Sequence, residues 1–190
     1  METLRRIVYL VVRPAAEWDA IAGEKTSVDA LLRHYILPLA LLAPIATVIG
    51  MKTFDRAWDP VHGFLVPAEQ ILAAGATTYF ATVGSILVLA AIFTSIAPMF
   101  GAPRDYLASL KVATYGAIPV LLAGATLFLP AMAIVAMAGL CHTLFLFWIG
   151  VRRVLSVPRG AEAEFVGISL VLLTFLSVLI GATASGIGLL

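Results

Sequence analysis

Between Val112 and Val151 the chain runs for forty residues without a formal charge. As a single helix rising 1.5 Å per residue, that run would be about 60 Å long, twice the hydrocarbon core of a bilayer. It therefore reads as two membrane spans joined by a tight turn. Pro130 lies at its midpoint, and proline is tolerated in the first turn of a helix but not in its interior. The split falls there, giving helices over about 110–129 and 131–150.

Three further apolar runs, about 31–51, 71–97 and 165–187, are each long enough to cross a bilayer. Pro38 and Pro44 should kink the first, and Pro98 should end the second. The chain is 62% hydrophobic and 12% charged, with mean hydropathy +1.05. Soluble domains are roughly 45–50% apolar and about 25% charged, and a soluble core of this size could not hide the excess. The predicted fold is all-α, a polytopic membrane protein with a five-helix transmembrane bundle. Residues 1–30 form a cytoplasmic segment with short amphipathic helices, and 31–190 form a single transmembrane domain.

Positive charge sets the expected orientation. Arg5, Arg6, Arg13, Lys25 and Arg33 precede span one. Arg104 and Lys111 follow span two, and Arg152, Arg153 and Arg159 follow span four. The opposite side carries only Lys52 and Arg56. Ten against two places the N-terminus in the cytoplasm and the C-terminus on the far side. The six apolar residues Ile7–Val12 are too few for the core of a cleaved signal peptide, so the N-terminus should stay inside. Arginine outnumbers lysine nine to three, which with the short termini points to a bacterial inner membrane. The lone Cys141 excludes an internal disulfide framework and a cysteine-based metal site.

Before span one, Leu4, Ile7, Val8 and Val11 recur at helical spacing, and Pro14 opens a second helix carrying Glu17, Trp18 and Ile21. Two interfacial helices follow, with Trp18 at headgroup depth and arginines on anionic lipid; a partner-binding surface is the alternative. Thr26 and Asp29 have capping-box spacing for the start of span one.

The spans are poor in chemistry. All eleven carboxylates fall outside the apolar runs, whereas carriers of protons and charged solutes keep ionisable groups at membrane depth. His142 is the exception, and the expected reading is a neutral imidazole bonded across helices to a hydroxyl or a freed carbonyl. A proton relay or metal ligand is the competing reading. Gly75, Thr78, Thr82 and Ser85 line span two, and Thr174, Ser177, Gly181, Ala184 and Gly188 line span five. Such stripes pack helices closely, or could form a groove for lipid headgroups. Asp55, Asp59, His62 and Glu69 are metal-ligand types in one loop, but their spacing matches no site, and no metal is expected. No nucleophile stands with a base, so no catalytic residue is assigned.

The order of motifs resembles the Yip family, small five-span proteins named for interacting with Ypt/Rab GTPases. Its marks here are Pro14, Trp18 and Ile21, then Tyr35-Ile36-Leu37-Pro38-Leu39 at the start of span one. Phe100-Gly101-Ala102-Pro103-Arg104-Asp105 follows, and then Tyr115-Gly116-Ala117-Ile118-Pro119 in span three. The chain looks most like the short prokaryotic branch. It lacks the long cytosolic N-terminal region of eukaryotic members and their Asp-Leu-Tyr-Gly-Pro motif, so the GTPase partnership is not carried over. The resemblance implies the five-span architecture and a non-enzymatic role. Independently of it, Pro119 should kink span three, and Gly116 should let span four come close.

The expected function is a non-enzymatic membrane scaffold or adaptor engaging other membrane proteins or lipids. The alternative is a small transporter, channel or lipid-translocating protein with a polar path near His142. Expected partners are membrane lipids, other membrane proteins or a second copy of the chain, with no nucleic acid and no cofactor. The candidate functional or packing residues are Trp18, Tyr35, Pro38, Tyr115, Gly116, Pro119 and His142.

Overall fold

The computed structural model describes residues 2–53, 58–59, 64–65, 67–126, 128 and 132–186. Two short helices lead the chain, α1 (Glu2–Val12) and α2 (Pro14–Gly23), with Pro14 in the first turn of α2 as the sequence requires. Among the described residues, five helices long and apolar enough to cross a membrane follow. Span one is Val28–Met51, span two Ala68–Phe100, span three Tyr106–Gly124, span four Ala133–Val154 and span five Glu162–Gly181. The helices run past the apolar cores and take in charges at their ends, among them Asp29, Glu69 and Glu162.

Span one is interrupted twice. Residues Leu32–Ile36 form a π turn just before Pro38, and the helix breaks again at Leu41, three residues before Pro44. A proline lacks the N–H that would close an α-helical bond, so the backbone ahead of it is free to widen its turn. The cap differs by one residue from the expectation. Ser27 is the N-cap, its Oγ accepting from the Ala30 N–H at 3.2 Å, while Asp29 pairs with Arg33 at 2.8 Å. Thr26 lies one residue too early to reach the first turn.

Between spans one and two, Trp58–Asp59 and Phe64–Leu65 pair antiparallel, a two-residue ladder that the sequence did not signal. Asp55 and His62 lie outside the described residues. Pro130 does too, although the helices on either side of it end at Gly124 and begin at Ala133 as two separate spans.

The Phe100–Asp105 motif builds the turn between spans two and three. A 3-10 turn over Ala97–Phe100 stops span two, and Gly101 closes it at φ +72°, a left-handed backbone that suits glycine. Asp105 then caps span three, accepting from the Ala108 N–H at 3.0 Å. Phe100 packs edge-on to Phe165 of span five, with ring centroids 5.3 Å apart. Phe165 also meets Phe93 of span two, which meets Phe147 of span four. This aromatic chain ties spans two, four and five into one core.

Span three is the central helix. Seventy-eight per cent of its most apolar window is buried, against 17% for span five. Its helix breaks at Ala117, between Gly116 and Ile118, and resumes through Pro119. A Cβ on Gly116 would fall 2.3 Å from the Phe147 ring, so only glycine lets span four approach there. The helix break and the close contact both lie at the residues that the sequence singled out.

Candidate functional site

The chemistry of the bundle collects at the end that carries α1 and α2. These helices fold back onto spans three and four, and Leu10, Trp18 and Ile21 are fully buried. Trp18 was expected among headgroups. Its indole instead fills a notch over Gly150 of span four, where a Cβ would sit 2.8 Å from the ring. The apolar face of α2 is satisfied by protein rather than by lipid, because Gly150 leaves room for it.

Polar contacts fasten the same helices. Lys111 of span three is buried, and its Nζ donates to the carbonyls of Ile21 at 3.0 Å and Glu24 at 2.6 Å. Those carbonyls close the C-terminal end of α2, where the helix dipole favours a cation. Arg153 of span four pairs with Asp19 and donates to the Ala15 carbonyl at 2.9 Å. Arg152 lies 3.9 Å from Glu162, which also accepts from the Gly160 N–H.

Arg6 forms the centre of a network that sequence reasoning missed. It was read as a lipid-facing arginine, but it points inward. Its Nε lies 3.1 Å from Glu17, and its Nη1 pairs with Glu24 and donates to the Tyr115 hydroxyl at 3.3 Å. The guanidinium also stands 5.7 Å from the centroid of the Tyr115 ring. Burial works against its charge, but the Tyr115 hydroxyl and the Glu24 carboxylate outweigh that effect and hold its pKa above the usual guanidinium value. Arg6 is therefore a permanent cation between two carboxylates.

Tyr115 links this network to span one, because its ring meets Tyr35 edge-on at 4.9 Å between centroids. Tyr35 sits on the π turn ahead of Pro38, so the two tyrosines singled out in the sequence meet across 80 residues of chain. Together with Arg5, Tyr9, Thr26 and His34 they line a cleft of about 580 Å³. His34 is exposed, and its Nδ1 must carry a proton, since it lies 3.0 Å from the Ala30 carbonyl, which can only accept.

His142 lies apart from this cleft. It is half-buried, its Nε2 has no hydrogen-bond partner among the described residues, and its ring stands 6.0 Å from Phe145. The cross-helix bond expected of it is made by its neighbour. Thr143 Oγ1 accepts from the Val120 N–H at 3.1 Å, just past the Pro119 break. The stripe on span five does not pack as expected either. Thr174 and Ser177 are exposed and donate to carbonyls of their own helix, and no heavy atom lies within 4 Å of a Cβ placed on Gly181. Gly188 lies outside the described residues. On span two, a Cβ placed on Gly75 would lie 3.4 Å from Val48 of span one, an ordinary contact, whereas Thr78 is exposed.

A family model described as the Yip1 domain matches residues 8–182. No curated protein and no solved structure matches the chain.

Proposed function

Because the chain belongs to the Yip1 domain family of membrane proteins, we propose that it is a non-enzymatic scaffold or adaptor. It lies in a bacterial inner membrane with α1, α2 and the basic loops on the cytoplasmic side. One observation carries the reading: the ion pairs among the described residues gather at the end of the bundle that carries α1 and α2, while the middle of the spans is apolar and charge-free. The cytoplasmic end is a docked platform, in which Trp18, Lys111, Arg153 and Arg6 each fasten α1 or α2 to another part of the chain. A charged platform fastened to a membrane bundle suits the docking of other membrane proteins or lipids.

The test is crosslinking in intact membranes, followed by purification of the tagged chain and mass spectrometry. A reproducible, near-stoichiometric partner that is lost on Trp18→Ala supports the adaptor. Recovery of the chain alone removes its protein-docking form.

A small transporter or lipid-translocating protein is the second reading. The His142 Nε2, buried and without a hydrogen-bond partner among the described residues, favours it, because a buried polar atom without a partner is costly. Against it, His142 lines neither the polar cleft nor the two apolar grooves beside span one.

A further inference from the structure

We infer that the Arg5–Tyr35 cleft binds one phosphodiester anion, of the kind carried by a singly charged phospholipid headgroup or by its water-soluble, deacylated counterpart. The inference goes beyond the scaffold reading and does not depend on a protein partner; only the leaflet follows from the proposed orientation.

The first support is which polar groups of the cleft are already occupied. Glu17 and Glu24 both face Arg6. The Tyr115 hydroxyl accepts from Arg6 at 3.3 Å and donates to Glu24 at 3.5 Å. The groups that remain are donors. Arg5 is exposed and has no carboxylate partner among the described residues, and its guanidinium stands 5.9 Å from the Tyr9 ring centroid. The hydroxyls of Thr26 and Tyr35, which line the same cleft, make no hydrogen bond among the described residues. A hydroxyl can also accept, but a guanidinium only donates. Arg5 therefore sets the sign of what the cleft takes, and that is an anion.

The second support is net charge. Buried Lys111 stands behind the cleft, its Nζ 2.6 Å from the Glu24 carbonyl. Arg5, Arg6 and Lys111 thus stand against two carboxylates, Glu17 and Glu24, which leaves one positive charge. A phosphodiester carries one negative charge and matches it. A phosphomonoester, at about −1.5 to −2, exceeds it. A zwitterionic headgroup needs a free carboxylate for its ammonium, and Arg6 already holds both.

The third support is shape and place. Arg5 comes from α1, Thr26 from the linker before span one, and Tyr35 from the π turn of span one, so donors reach the cavity from three parts of the chain. A tetrahedral phosphate accepts from several directions, whereas a planar carboxylate accepts close to one plane. At about 580 Å³ the cleft is the size of a ligand pocket and too large for bare phosphate alone. Tyr35 also begins the charge-free run of span one, which sets the cleft at the membrane boundary, where headgroup phosphates lie.

The purified full-length chain in neutral detergent is supplied with equimolar phosphatidylglycerol and phosphatidylethanolamine of identical acyl chains, and bound lipids are counted by native mass spectrometry. Glycerophosphoglycerol, the deacylated headgroup, is then supplied alone and in excess over the lipid. One phosphodiester per chain is expected, with phosphatidylglycerol preferred over phosphatidylethanolamine. Arg5→Ala should lower its retention about tenfold, the effect of losing one charge-assisted hydrogen bond. Tyr35→Phe keeps the ring and removes the hydroxyl, and should lower retention severalfold, an independent check should Arg5→Ala express poorly. Arg13→Ala, at an exposed cation outside the cleft, should leave retention unchanged. Lipid that survives excess glycerophosphoglycerol assigns the site to the membrane; glycerophosphoglycerol bound in its place assigns it to a soluble diester. Binding of neither compound, phosphatidylethanolamine bound as well as phosphatidylglycerol, retention unaltered in both the Arg5 and Tyr35 variants, or an equal loss in Arg13→Ala would each overturn the site.

Discussion

The indole of Trp18 covers Gly150 so closely that no side chain fits between them; a Cβ on the glycine would lie 2.8 Å from the ring. This contact joins α2 to span four and turns an amphipathic N-terminal segment into part of the bundle. Gly150→Leu should push α2 off its seat at a cost of about 1–3 kcal/mol, typical of overpacking. Trp18→Ala should cost about 3–5 kcal/mol, as for other large aromatic deletions from a core. Thermal unfolding in detergent measures both. Limited proteolysis in the Gly23–Val28 linker reports undocking of α2 directly, and unchanged cleavage in both variants would contradict the docked arrangement.

Arg6 holds Glu17 and Glu24 together, so Arg6→Met alone leaves two half-buried carboxylates without their cation. The expected loss is about 1–3 kcal/mol. Adding Glu17→Gln and Glu24→Gln should restore part of that loss, because neutral amides leave no unpaired charge behind. Failure of the triple variant to recover any stability would mean that the network does not act as one unit.

Gly116 of span three lies against Phe147 of span four so closely that a notional Cβ would fall 2.3 Å from the ring. Gly116→Ala should therefore destabilise, while Gly116→Ala combined with Phe147→Leu should lose less than the sum of the two single changes. A double-mutant cycle on unfolding free energy checks this, with an expected coupling of about 0.5–3 kcal/mol. Simple additivity would show that the helices do not meet there.

Thr143 and His142 should respond in opposite ways. Thr143→Val strands the Val120 N–H and should cost about 1–3 kcal/mol, whereas Thr143→Ser keeps the acceptor and should cost less. His142→Leu removes a ring nitrogen that has no partner among the described residues and should be neutral or stabilising. A large loss of stability in His142→Leu would mean that the imidazole makes a bond the structure lacks.

These positions also mark where the sequence was legible. Charge-free runs gave the five spans, because lipid excludes charge so strongly that its absence is visible in a single sequence. Proline and glycine were legible for the same local reason. Pro14, Pro119 and Gly116 act through the backbone, so their effects need no knowledge of distant residues. The docking of α1 and α2 was not legible, since an apolar helix face looks the same whether it meets lipid or protein. Trp18 was placed in headgroups on that ambiguity. Lys111 looked like an ordinary boundary charge, and only the fold brings it to carbonyls 87 and 90 residues away. Arg6 meets Tyr115 across 109 residues, a pairing that no spacing rule signals. His142 drew attention as the rarer residue, but the geometry gave the hydrogen bond to the threonine beside it.

The proposed scaffold holds partners and moves nothing through the middle of its bundle. Its most direct test is reconstitution of the purified chain into liposomes, measuring solute leakage and lipid scrambling against protein-free vesicles. No flux and no scrambling above the protein-free rate is the expected result, for the wild type and for His142→Ala alike. Flux or scrambling that the wild type supports and His142→Ala abolishes would contradict the scaffold and establish a path through span four.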